Sequence, residues 1–335
     1  MLTPTDAPKD SQSMPPPPPR RILLDMDPGV DDAIAIALAL RCPAAEVVAL
    51  TTVCGNCSLD DATQNAALVT QLLASQEPIP VHAGASGPLR DGPRYSATSV
   101  HGPDGLGGCR QAYLAERPLL RQPSPPSDHA LVEALRRYAP VDTLIATGPL
   151  TNLALALSQD PGAFDGVRTV IMGGAFGAPG NMTPTAEFNV YADPEAAAQV
   201  MASGLPQTWV PLNVTEGVVL PESLLQHWAE RHPGPLSRFL LDCTPCYLDF
   251  HRRQGIEGIQ VHDALAVAAV LWPEFLRFAT LSAAVETEGR WTRGQTVADL
   301  RQGVRPWAGA AQVSVALEVD AKPLLLRFEG TVFGG

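Results

Sequence analysis

The sequence predicts an α/β fold, a single domain over residues 20–335 with an open, mostly parallel β-sheet flanked by helices. Three observations carry that prediction. Short β-branched or leucine-rich runs alternate with alanine-rich runs along the chain, the pattern of strands joined by crossover helices. No fixed-period repeat and no polar linker interrupts the alternation. A hydrophobic content of 45% in 335 residues supplies enough apolar surface for one large core.

Taken in order, residues 1–19 end in "MPPPPP" and read as a disordered, polyproline-like tail without chemistry. "RILL" opens the first strand, which closes on Asp25 and Asp27. "DDAIAIALAL" reads as a helix with Asp31 and Asp32 in its first turn. The remaining strands are "EVVALTTV", "PIPVHAG", "VDTLIATG", "VRTVIMGG" and "TWVPLNV". They alternate with helices in "DATQNAALVTQLLAS", "DHALVEALRRYA", "TNLALALS" and "DPEAAAQVMAS". The stretch 87–108, "GPLRDGPRYSATSVHGPDGLGG", is a long excursion of the kind found beside a site.

Charge narrows the function. A net charge of −12 argues against a nucleic-acid or anionic-membrane surface, since both need clustered Lys and Arg. The N-terminal residues lack the apolar core of a secretory signal, so the expected location is cytoplasmic. Six cysteines are too few for a disulfide scaffold. The pairs "CGNC" and "CTPC" lie too far apart for a zinc ribbon and read as coincidence.

"LLDMDPGVDDA" places Asp25, Asp27, Asp31 and Asp32 together where a strand gives way to a helix. Two carboxylates about 4 Å apart repel by roughly 4 kcal/mol at an effective dielectric near 20, so such a cluster needs a cation or shared protons. Carboxylate and carbonyl oxygens favour calcium or magnesium over zinc. Asp31 and Asp32 alone could be ordinary first-turn acids, but Asp27 and the distant His262–Asp263 pair at another helix start favour a cation. In doubly wound sheets, ligands bind beyond the carboxyl ends of the strands. Asn56, Thr147 and Asn213 follow strand ends too, so all these groups are expected on one edge of the sheet.

With those residues in view, the chain resembles the inosine-uridine preferring nucleoside hydrolases. "LLDMDPGVDDAIAIALAL" is similar to their Asp-x-Asp-x-Gly-x-Asp-Asp-Ala signature, and the likeness continues through "TTVCGN", "HGPDGLGG", "ATGPLTNLALAL", "IMGGA", "NMTPTAEFNVYADPEAA", "VHDALAVA" and "TRGQTVADLR". The resemblance implies hydrolysis of the N-glycosidic bond of ribonucleosides, bound Ca2+, a role in nucleoside salvage, and a homodimer or homotetramer. It assigns Asp27, Asp32, Asp263 and the Thr147 carbonyl to calcium. It assigns Asp31, Asn56, Asn181, Glu187 and Asn189 to the ribose, with Met172 beneath the sugar and His101 near the leaving group. Asp25 is expected behind the cluster.

Cleaving the C–N bond makes the sugar cationic while the base departs with negative charge. Asp27 is the expected base for the attacking water, and His262 the expected acid for the base. Positions counted back from "VHDA" for base contacts fall on Cys246, Phe250 and Gln254, unlike the tyrosines and arginine of broad-specificity members. A rotated helix would present Tyr247 or His251 instead. Two rival readings remain. "LLDMDPG" also fits the start of haloacid-dehalogenase-like phosphatases, but they need a mid-chain lysine and this chain has only Lys9 and Lys322. The other is an inactive nucleoside- or calcium-binding protein. Free base with ribose, inorganic phosphate, or no product separates the three.

Overall fold

A computed structural model describes residues 18–73, 77–301 and 307–334. Nearly all of the expected tail, and the last residues of the helix expected through Ser75, lie outside those residues. Eleven strands run in chain order as β1 (Arg20–Met26), β2 (Ala45–Thr52), β3 (Val81–Ala83), β4 (Thr143–Ala146), β5 (Arg168–Met172), β6 (Gln207–Val210), β7 (Val219–Leu220), β8 (Ile259–Gln260), β9 (Leu276–Val285), β10 (Thr296–Ala298) and β11 (Ala311–Val319). Nine of them form one sheet in the order β10-β9-β11-β6-β5-β4-β1-β2-β3, and β7 pairs with β8 apart from it.

The sheet is parallel from β3 across to β11. Only β9 runs against its neighbours β10 and β11. The chain winds outward from β1 to β2 and β3, then returns to lay β4, β5 and β6 on the other side of β1. Connections therefore diverge between β1 and β4, which opens a crevice at their carboxyl ends. Register sets Asp25 beside Thr51 of β2 and Ala146 of β4, so the strand ends that carry Asp27 and Thr147 finish side by side.

Apolar side chains cover both faces, as a parallel sheet requires. One layer holds the helices Val30–Arg41 and His262–Leu271 with Trp228, Phe239 and Phe328. The other holds Leu131, Leu135, Leu153, Phe164, Met201 and Trp209. The helix Val30–Arg41 is buried at every position from Val30 to Ala39. Its alanines let it pack closely against the equally buried helix His262–Leu271. Two helix starts thereby meet above the crevice, with Asp31 and Asp32 in one first turn and Asp263 in the other. No helix among the described residues is long and apolar enough to cross a membrane.

Candidate active site

The acids at the two helix starts converge. One carboxylate oxygen each from Asp31, Asp32 and Asp263 lies within 4.8 Å of the other two, and all three residues are buried. Asp27 stands next to this triad rather than in it. Its Oδ2 accepts from the Asn56 backbone N–H at 2.6 Å, while its Oδ1 is buried without a partner. A Cβ at position 55 would lie 2.0 Å from Asp27 Oδ2, so Gly55 is what lets the backbone close on this carboxylate.

Asp32 is held from several sides. Its Oδ2 accepts from the Gly29 backbone N–H at 2.8 Å and from Asn56 Nδ2 at 3.0 Å, and its Oδ1 accepts from the Thr147 hydroxyl at 2.8 Å. Burial raises the pKa of all four acids, and their mutual repulsion adds to the effect in Asp27, Asp31 and Asp263. Asp31 reaches about 8. Its Oδ1, like that of Asp27, is buried without a hydrogen-bond donor. Three buried carboxylates brought within 4.8 Å, with an unpartnered Asp31 oxygen among them, form the donor set of a hard divalent cation, so these residues fit one. Cysteine takes no part: all six are free, and none joins a metal-type cluster among the described residues.

Asp25 lies one layer deeper. Its Oδ1 accepts from the Thr51 hydroxyl and from Asn152 Nδ2, its Oδ2 has no partner, and burial lifts its pKa to about 7. Its carbonyl accepts from the Thr147 backbone N–H at 2.9 Å, which ties β1 to the residue that carries the expected carbonyl ligand.

Asp31 and Asp263 line a cavity of about 510 Å³, with Asp32 buried behind them, and the cavity also exposes Asn56, His101, Thr147, Met172, Asn181, Glu187, Asn189 and His262. That volume suits a small organic ligand. Asn189 Nδ2 donates to the Thr147 carbonyl at 2.6 Å and sits 3.4 Å from Met172 Sδ, which fixes both residues at the rim of the acid cluster. Glu187 is committed to the backbone: it accepts from Gly174, Asn189 and Val190 N–H groups and caps the helix Phe188–Ala192. Asn181 Oδ1 accepts from the Phe188 N–H, so the loop bearing Asn181 is pinned to that same helix start.

Imidazoles lie beside these acids: His101 Nδ1 is 3.7 Å from Asp31 Oδ1, and His262 precedes Asp263 in the same helix turn. His101, only 5% exposed, accepts from the Val30 backbone N–H at Nδ1, so it is neutral with its proton on Nε2. A Cβ at position 29 would lie 2.6 Å from His101 Nδ1, so Gly29 makes room for the contact. His262 Nδ1 lies 2.8 Å from the Thr215 hydroxyl. Burial and the neighbouring histidines bring both pKa values down to about 3.

Two expectations need correction. Asn213 turns away from the site, where its side chain spans the Phe176 N–H and C=O. Of the positions counted back for base contacts, Phe250 and Gln254 line the cavity and Cys246 does not. Tyr247 and His251 line it as well, together with Gln260 and Glu216. Thr215, Gln260 and Asn152 support site residues that sequence reasoning singled out without naming these partners. Only Asn152 sat inside a resembling motif, "ATGPLTN".

A family model described as "Inosine-uridine preferring nucleoside hydrolase" matches residues 22–325. Among curated relatives, a probable uridine nucleosidase 1 of Oryza sativa subsp. japonica is 37% identical over 317 residues, covering 92% of this chain and 94% of its own length. The non-specific ribonucleoside hydrolase RihC of Escherichia fergusonii is 39% identical over 305 residues, covering 90% of this chain and 94% of its own. Among solved structures, the plant nucleoside hydrolase PpNRh1 superposes with a TM-score of 0.85 at 31% identity, covering 95% of this chain and all of its own. The matched span and the site built on β1, β4 and the two helix starts lead to one conclusion: the chain belongs to the inosine-uridine preferring nucleoside hydrolase family.

Proposed function

We propose that the protein is a ribonucleoside hydrolase that releases free base and ribose, with calcium as its cation. The observation that carries this reading is one cavity lined both by Asp31 and Asp263, which cluster with Asp32 within 4.8 Å, and by the imidazoles of His101 and His262. A bond that breaks into a cationic sugar and an anionic base needs negative groups and proton donors within one site.

Asp27, Asp32, Asp263 and the Thr147 carbonyl would hold the ion, with Asp31 close enough to share in it. When bound, the ion supplies charge that positions the ribose hydroxyls and acidifies a water. The chain's own residues do the rest. Asp27 takes the proton of the attacking water through its unpartnered Oδ1. Asp31, Asn56 and Asn189 pair with ribose hydroxyls, and Asn181 and the remaining lone pairs of Glu187 accept from the outer hydroxyls. Met172 lies under the ring. On the base side, His262 is neutral in the free protein; as negative charge grows on the base its imidazole takes a proton from solvent and passes it to the departing nitrogen, while the water proton held by Asp27 returns to solvent. His101 offers its Nε2–H as a hydrogen-bond donor to the same leaving group. The family resemblance adds a cytoplasmic homodimer or homotetramer in nucleoside salvage.

Incubating the purified protein with a panel of ribonucleosides, nucleoside monophosphates and sugar phosphates tests the reading. Stoichiometric reducing sugar and free base are expected from nucleosides. Inorganic phosphate as the only product, or no product at all, overturns it.

A further inference from the structure

The base end holds a third imidazole whose hydrogen bonds do not balance when it is neutral. His251 is 2% exposed and lines the cavity on the helix Pro245–Arg253. Its Nδ1 lies 3.0 Å from the Tyr247 carbonyl and its Nε2 lies 3.2 Å from Gln260 Oε1. The other end of the Gln260 amide, Nε2, donates to the Glu216 carbonyl at 3.0 Å.

Counting donors decides the protonation. The Tyr247 and Glu216 carbonyls only accept. With the amide as placed, Gln260 Oε1 also accepts, so the imidazole faces an acceptor at each nitrogen and a neutral ring supplies one hydrogen for two contacts. Flipping the amide moves the defect without curing it, because Gln260 Oε1 then faces the Glu216 carbonyl. One added proton satisfies every member of the chain. Two acceptors left face to face forgo a hydrogen bond.

The surroundings suit a single positive charge here. His101 is neutral because it accepts from Val30 N–H. His251 is among the causes that lower the pKa of both His101 and His262. Burial lowers the His251 pKa from its ordinary value, and its contacts with Tyr247 and Gln260 oppose that shift without reversing it. The ring packs edge-to-face on Tyr247, 4.5 Å between centroids, and on Phe250. From other elements, Gln260, His262 and the rim residue Glu216 line the same cavity, while Arg252 of the same helix is engaged with Glu222 and Asp249.

We propose that His251 is a positioning residue, an imidazolium clamped between the Tyr247 carbonyl and Gln260, whose fixed charge favours the negative charge that gathers on the departing base. It keeps its proton throughout; the proton that the base takes comes through His262. This role rests on the nucleoside hydrolase reading, whereas the protonation of His251 does not.

Nitrogen NMR of the 15N-labelled protein, with His251 identified by the signals lost in His251→Gln, reads the protonation directly. At about pH 6, near the ordinary imidazole value of about 6.5, both His251 nitrogens should carry hydrogen, and Gln260→Met should leave one bare. A bare His251 nitrogen in the unaltered protein at that pH overturns the proposal. In kinetics, His251→Gln should lower kcat on inosine and uridine about tenfold, less than the roughly 10²–10³ for removing a direct donor, with KM little changed. Hydrolysis of p-nitrophenyl riboside, whose phenolate leaves without help, should stay within about twofold. Equal losses on nucleosides and on the phenolate substrate overturn the electrostatic role. Failure of the unaltered protein to release ribose from any nucleoside would overturn the hydrolase reading itself, a result that the nitrogen signals leave distinguishable.

Discussion

The two ends of the cavity are built differently. The carboxylates, the sugar end in the proposed reading, sit on strand ends and helix first turns: Asp32 is held by the Gly29 N–H and the Thr147 hydroxyl, Asp27 by the Asn56 N–H and the close approach of Gly55. The base end is assembled from the short helix Pro245–Arg253, the stretch Thr98–His101 and the start of the helix His262–Leu271. The first sits on strand ends and two helix first turns; the second adds side chains from the short elements Pro245–Arg253 and Thr98–His101 to the helix start that also carries Asp263. Such a division separates what every ribonucleoside shares from what distinguishes one base from another.

Substitutions should respect that division. Asp32→Asn keeps the shape and removes the charge, so bound calcium and activity should fall together on every substrate. The expected loss in kcat/KM is about 10³-fold, which corresponds to several kcal/mol at 1.36 kcal/mol per decade. Metal analysis beside kinetics checks it, and an active variant with full calcium would break the assignment. His262→Asn should act selectively instead: about 10²–10³-fold on inosine, and far less on p-nitrophenyl riboside, in the range of general-acid loss. Identical losses would move His262 to the structural side of the comparison.

Changing the substrate probes the sugar end without touching the protein. Uridine and inosine should exceed their 2′-deoxy counterparts by at least about 10²-fold in kcat/KM, because a site built to pair a hydroxyl penalises its absence. The weaker glycosidic bond of deoxynucleosides offsets part of a larger intrinsic penalty. Ratios within tenfold for both pairs would remove Asp31 and Asn189 from the 2′-hydroxyl.

The smallest effect concerns stability. Burial holds the His101 pKa at about 3 against an ordinary 6.5. Between those values the unfolded chain binds a proton that the folded chain refuses. Its contribution is therefore complete above pH 6.5 and drains away as pH falls toward 3. From pH 7 to pH 5 the unaltered protein should lose about 2 kcal/mol more than His101→Gln, as 1.5 units at 1.36 kcal/mol each. Urea titrations at the two pH values measure the difference, and parallel losses would mean that His101 is already charged when folded.

Legibility in the sequence follows the same boundary. Asp25, Asp27, Asp31 and Asp32 fall in one contiguous stretch, and strand period and helix start together dictate where their side chains go. Asp263 was readable because "VHDA" opens an apolar helix. The fold's alternation of strand and helix was equally plain, including a site at the carboxyl ends of β1 and β4. Spacing failed where rotation is set by tertiary packing. Gap-free counting from His262 placed Cys246 on the cavity, yet the turn after Arg253, with Gly255 and Gly258 at positive φ, fixes which face of the helix looks inward. That face shows Tyr247, Phe250, His251 and Gln254. Asn213 failed for another reason: a strand-end position does not say which neighbouring backbone a short amide will reach, and here it is Phe176.

The meeting of two helix starts above the crevice has a consequence for how a cation enters it. Each helix N-terminus carries about half a positive charge, and Asp31, Asp32 and Asp263 occupy both first turns. Their repulsion is thus partly compensated by the peptide groups, and raised pKa values let shared protons offset more of it. Shared protons can therefore hold the acids together in the fold as it stands, so that in the proposed reading a cation enters a site already assembled, by displacing protons rather than by drawing the chain together.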